Sequence, residues 1–161
     1  MPLKVLVQPL SNSIEKEECF LEHLRSHAIE SAPLTVLDPK IILKALQNST
    51  KAIAVMSADL RFLISPEKFT NLACDMALFT NHRTPIGRKE HVDTSFLFFK
   101  PTEKTFNFLE AWAENKKEPD LALDELVQKK ALSMQILHLP TTLKIENLNE
   151  AGAFHRWLLK V

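Results

Sequence analysis

Ala52-Ile53-Ala54-Val55-Met56-Ser57-Ala58-Asp59 is the stretch on which the fold turns. Its first five residues are apolar at every position, not at alternate ones. A strand with one solvated face alternates; a strand covered on both faces does not. Residues 52–56 therefore read as an inner strand of a parallel sheet with helices on each side. Asp59 then falls at the carboxyl end of that strand, where open α/β sheets bind their ligands.

Working upstream, residues 4–7 read as a first strand. Ser11 and Ser13 offer helix caps, and Phe20, Leu21, Leu24 and Ala28 recur at helical spacing. Pro33 interrupts, and residues 34–37 read as a second strand. Pro39 suits the first turn of a helix whose apolar stripe is Ile41, Ile42, Ala45 and Leu46. The order β-α-β-α-β predicts an open α/β sheet. Downstream, strands are expected at 75–79, 96–99 and 135–139, and helices at 103–114 and 120–130. The segment 81–89, with His82, Arg83, Arg88 and Lys89, reads as a basic loop. Around Trp157 and Leu158 a terminal amphipathic helix is expected. No repeat or linker divides the chain, so residues 1–161 are expected to form one domain.

The bulk numbers exclude several classes. Lys plus Arg and Asp plus Glu are 20 each, so no overall field draws the 161-residue chain to nucleic acid or an anionic membrane. Hydrophobic residues at 45% and charged residues at 25% match an ordinary globular protein. Two glycines cannot build a glycine-rich phosphate loop of the dinucleotide or P-loop kind. No apolar run reaches the roughly 18 residues of a membrane span. The opening MPLKVLVQPL is too short and too interrupted for a signal peptide, so a cytoplasmic, soluble protein is expected. Cys19 and Cys74 show no zinc spacing and read as buried free thiols.

Four segments in order carry a family likeness. Met56-Ser57-Ala58-Asp59-Leu60-Arg61-Phe62-Leu63, with Pro66 beyond, resembles the Asp-x-Asp strand end of the GT-A nucleotide-diphospho-sugar transferases, with Ser57 in place of the first Asp. Lys40 looks like the lysine that opens the preceding helix in that family. Val92-Asp93-Thr94-Ser95-Phe96-Leu97-Phe98-Phe99-Lys100-Pro101-Thr102, then a helix ending in Trp112, resembles the family's Asn-[Ser/Thr]-Gly strand and Trp-ended helix. Asp120-Leu121-Ala122-Leu123-Asp124-Glu125-Leu126 resembles the Asp-Gln-x-x-[Leu/Phe]-Asn region, and Leu137-His138-Leu139-Pro140 the late Leu-Pro strand. The likeness covers residues 38–142.

What the resemblance implies is a single-domain, mixed, mostly parallel sheet flanked by helices, and transfer of a sugar from a nucleotide-diphosphate sugar to an acceptor hydroxyl. Asp59 would hold Mn²⁺ or Mg²⁺ against the diphosphate, oxygen being the ligand such ions prefer. In an extended chain Ser57 and Asp59 project to one side, so Ser57 would meet the same donor. Lys40 would complete the donor side. Asp93 and Asp120 are the candidate catalytic carboxylates, binding sugar or acting as base. Each also has a plainer reading: Asp59 as a turn cap, Asp93 as a solvated strand end, Asp120 as a helix cap. His155 resembles a C-terminal metal-ligating His of some sugar transferases. Ser57, Leu121 in place of Gln, and the short chain leave a second reading open. It is a catalytically inactive, reduced relative acting as a binding or scaffolding module, with oligomer formation compatible. A flavodoxin-like fold is a third reading; it needs an all-parallel sheet, whereas the GT-A reading needs an antiparallel strand near 96–99 beside the Asp59 strand.

Overall fold

The computed structural model describes residues 3–9, 14–61, 70–81, 91–130, 133–139 and 159–160. Ser11, Ser13, Phe62, Pro66, the basic loop at 82–89, Pro140, His155 and the expected helix around Trp157 and Leu158 lie outside them. The elements are β1 (Leu3–Gln8), α1 (Ile14–Ser26), β2 (Glu30–Pro33), α2 (Pro39–Gln47), β3 (Ala52–Ser57), β4 (Leu60–Arg61), β5 (Met76–Asn81), β6 (His91–Phe99), α3 (Glu103–Glu114), α4 (Pro119–Lys130), β7 (Ile136–Leu139) and β8 (Leu159–Lys160).

Six strands form one sheet in the order β2-β1-β3-β6-β5-β7. β1 runs parallel to β2 and β3, and β5 parallel to β7. β6 is antiparallel to both its neighbours, β3 and β5. The carboxyl ends of β1, β2, β3, β5 and β7 therefore share one edge of the sheet with the amino end of β6. β4 and β8 form a separate antiparallel pair.

Residues 52–56 are buried throughout, as their unbroken apolarity requires. Ala52, Ala54 and Met56 face a core with Phe20 and Leu24 of α1, while Ile53 and Val55 face the other, with Ile42 and Leu46 of α2 and Phe108, Leu109 and Trp112 of α3. α4 adds Leu123 and Leu126 to that second core. So α1 covers one face and α2, α3 and α4 the other.

The caps follow from the sequence. Asp38 accepts the Lys40 N–H at 2.9 Å ahead of Pro39, and Thr102 accepts the Thr105 N–H at the start of α3. α1 ends in a Schellman turn, with Ile29 N–H bonded to Leu24 O and Ala28 at φ 54°.

Three expectations are corrected. The second strand is Glu30–Pro33, not 34–37. Among the described residues it is an edge strand paired only with β1, so it needs little apolar character and tolerates Pro33 at its end. Val36, from the β-branched run that suggested a strand, is 66% exposed. β6 spans His91–Phe99, starting well before residue 96, because its polar half pairs with β5; among the described residues β3 pairs only with its apolar half. Cys19 is exposed and only Cys74 is buried, though both are free. Cys19 precedes Phe20, and the helix turns Phe20 and Leu24 inward instead.

Candidate functional site

The strand order places a switch point at the shared edge. From β1 the chain crosses by α1 to β2 on one side, then by α2 to β3 on the other. Such a reversal opens a crevice between the carboxyl ends of the two inner strands. Here those ends are Gln8 and Ser57, which are register partners. The Ala58 N–H donates to Gln8 O at 3.2 Å, closing the floor of the crevice.

β3 ends at Ser57, and Ala58-Asp59 make a tight turn into β4. The expected extended arrangement, with residues 57 and 59 side by side on one strand, is therefore not what the chain adopts. Ala58 points into the α1-side core. Asp59 is half-buried beside it, with Oδ1 shielded from solvent. Ser57 is half-buried at the strand end.

β6 builds one wall. Leu97 pairs with Leu78, but the next partner of β5, Phe79, pairs with Asp93. Residues 94–96 are thus accommodated in a bulge. The Asp93 Oδ1 accepts the Ser95 N–H at 3.0 Å, shaping that bulge from within. Gln8 Nε2 donates to Thr94 O at 2.6 Å, tying the bulge to β1 across the end of β3. β3 reaches only to Phe96, so β6 from His91 to Ser95 stands clear of β3 on that side.

Asp124 of α4 occupies this free flank. Its Oδ1 accepts the Val92 N–H at 2.7 Å and its Oδ2 lies 2.8 Å from His91 Nδ1. Amides of an antiparallel strand point alternately to its two sides. An amide that donates to Asp124 is not in the β5 ladder, so Val92 N–H points toward the space beyond β3. Asp120 lies one turn earlier on the same face of α4 and is exposed in the first helical turn. Lys40 is exposed at the start of α2, at the same edge of the sheet. It follows β2, which is two strands from β3, roughly 10 Å away at ordinary strand spacing.

Ser57, Asp59 and Asp93 thus belong to strand ends that meet at the crevice, with Asp120 and Lys40 on its flanks. Gln8, Thr94, His91 and Asp124 escaped the sequence reading. Gln8 had a signal: a polar residue ending an apolar strand just before Pro9. Asp124 lay inside a segment with a family likeness, one helical turn past Asp120.

No protein-family model matches the chain, and no curated protein matches it. Solved structures do. A glycosyltransferase involved in the glycosylation of the major capsid of PBCV-1 superposes with a TM-score of 0.60 at 12% identity, over 100% of this chain and 93% of that one. The fold is glycosyltransferase-like. The glycosyltransferase GlyE of Streptococcus pneumoniae TIGR4 gives 0.54 at 9% identity, over 99% of this chain but 55% of its own. HddC of Yersinia pseudotuberculosis gives 0.50 at 11%, over 86% and 90%. At these identities the likeness is one of fold. The antiparallel β6 beside β3 excludes the flavodoxin-like alternative, and agrees with the glycosyltransferase-like one. Among the described residues no helix is long and apolar enough to cross a membrane.

Proposed function

We propose that the protein binds a nucleotide-diphosphate sugar in the crevice between β1 and β3 and transfers the sugar to an acceptor hydroxyl. The observation that carries this reading is the switch point. Gln8 and Ser57 are paired at its floor, Asp59 follows directly, and the amino half of β6 forms a wall. The diphosphate would lie over the β3 end, near Ser57 and Asp59, with Lys40 supplying positive charge from the α2 side. The sugar would face the β6 wall, where Asp93 and Asp120 stand as candidate carboxylates for sugar or acceptor. Asp93 already commits one oxygen to Ser95, which favours a positioning role for it.

Mn²⁺ or Mg²⁺ is part of this proposal in a restricted form. Among the described residues no group of three His, Cys, Asp or Glu side chains is gathered. At the β3 end stand one carboxylate, Asp59, and the neutral hydroxyl of Ser57. That set fits a divalent ion only as a minor share of its oxygen shell, the rest coming from diphosphate and water. Such an ion would neutralise charge on the departing nucleoside diphosphate.

Ser57 favours a second reading, a reduced relative that binds donor or partner without catalysis. Calorimetric titration with UDP, GDP and CDP, each with and without Mn²⁺, separates the two when joined to a donor-turnover assay. Binding that strengthens with Mn²⁺ and weakens about tenfold or more in Asp59→Ala, or roughly 1.4 kcal/mol, supports the donor site. Binding without turnover selects the module. No binding at millimolar nucleotide refutes the donor site.

A further inference from the structure

We infer that His91, oriented by Asp124, is the general base that takes the acceptor proton, a role that rests on the transferase reading above. Asp124 is held on both oxygens, by the Val92 N–H at 2.7 Å and by His91 Nδ1 at 2.8 Å. The carboxylate is therefore fixed from one side by backbone and presents its other oxygen to the ring. A carboxylate accepts only, so Nδ1 carries the proton and Nε2 is left as the basic nitrogen. The Asp124 side chain is 17% exposed and that of His91 41%, so the anchor is sheltered while the ring can meet a ligand.

The placement suits a base. His91 is the first residue of β6 and pairs with Asn81, the last of β5. Leu97 faces Val55 on one side and Leu78 on the other, so three residues further along β5 His91 lies level with residue 58, just past the end of β3 and one strand across from it. With the diphosphate at the β3 end, the anomeric carbon bonded to it would lie at that same level, and the acceptor oxygen would approach that carbon from the side away from the diphosphate, toward β6. Asp93 and Asp120 are less suited to proton abstraction, since one oxygen of Asp93 holds the bulge and Asp120 is exposed in the first turn of α4.

The step balances as a direct displacement. The acceptor O–H proton passes to His91 Nε2 as the acceptor oxygen bonds to the anomeric carbon. The bond from that carbon to the phosphate oxygen breaks, and its electron pair leaves with the nucleoside diphosphate. Asp124 stabilises the imidazolium that results. One displacement of this kind inverts the anomeric carbon.

The test uses the full chain and UDP-, GDP- and CDP-hexoses, with water as acceptor and nucleoside diphosphate release as the readout. His91→Ala is expected to lower turnover about 100- to 10,000-fold, with nucleotide affinity by calorimetry unchanged. Added imidazole restores turnover in His91→Ala. Asp124→Asn keeps an oxygen for Val92 but turns an NH₂ toward Nδ1, placing the ring proton on Nε2. It therefore loses turnover while keeping its melting temperature. Turnover within threefold of wild type in His91→Ala, or no response to imidazole, overturns the base and leaves the transferase reading standing. Nucleotide binding by the wild type without turnover of any donor overturns the base while sparing the donor site. No nucleotide binding overturns the donor site and the base together.

Discussion

Asp75→Ala is expected to lower stability by about 2–3 kcal/mol without disturbing the crevice between β1 and β3. Asp75 sits just before β5, at the edge of the sheet opposite the crevice. Its Oδ1 accepts from Thr102 Oγ1 at 2.8 Å and its Oδ2 from the Gln135 N–H at 2.8 Å. One side chain thus ties the start of β5 to the N-terminus of α3 and the approach to β7. Hydrogen bonds to a charged acceptor contribute about 1.5–3 kcal/mol each, so two would contribute about 3–6. The lower figure holds because Asp75 is half-buried and Gln135 exposed, which lets water replace part of what is lost. The backbone bonds of Asp75, including Thr105 Oγ1 to its carbonyl at 3.1 Å, survive the substitution. For a chain of this size 1 kcal/mol moves the melting temperature by about 2–4 °C, so the expected drop is roughly 4–12 °C. Urea unfolding followed by circular dichroism measures it, with Thr102→Val as a partial control. A loss under about 1 kcal/mol would refute the account of Asp75 as a three-way tie, since it is less than even one hydrogen bond to a charged acceptor contributes.

Two further outcomes follow from side chains away from the crevice. Cys19 is exposed and Cys74 buried, and burial pushes the Cys74 thiol up from its ordinary value. A thiol reagent at neutral pH should therefore label one site per native chain within minutes and the second only on unfolding, as mass spectrometry would count; equal rates would contradict this. Lys117 at 2.5 Å and Lys129 at 2.9 Å hold Glu125 down at about 2, against 4.5 for the free group. Because the folded value is the lower, the contribution is whole above about pH 4.5 and is lost as pH falls toward 2. Denaturant midpoints of wild type and Glu125→Gln should converge over that window, and the gap above it should shrink with salt, since the pairs lie at the surface; a gap that persists at pH 2 contradicts the assignment.

Much of the fold could be read from residue patterns, and the reasons are local. β3 announced itself by unbroken apolarity, and α2 by Pro39 at its first turn and an apolar stripe at helical spacing. These signals reflect burial and capping, which neighbours in sequence largely determine. The failures came where a distant neighbour decides. β2 is a strand because β1 offers it an edge, and Glu-Ser-Ala-Pro carries no pattern that says so. The polar half of β6 is a strand because β5 pairs with it, and its residues look like loop. The site suffered most for the same reason. Asp59 was found from its place after an apolar strand, whereas Asp124 matters through contacts with residues 32 and 33 positions away. Nothing in the spacing of Asp120 and Asp124 tells which of them the helix turns toward β6.

The bond from Gln8 to Thr94 spans 86 residues. Contacts of such sequence separation form late, because the intervening chain must first be gathered. On a ribosome, β1, β2 and β3 can be made and paired before β6 has emerged. Such a nascent chain has its switch point but no wall and no bulge, and so no complete crevice. The crevice is therefore completed with the last inner strand rather than by degrees. A ligand that needs the wall would stabilise only chains that have finished this step.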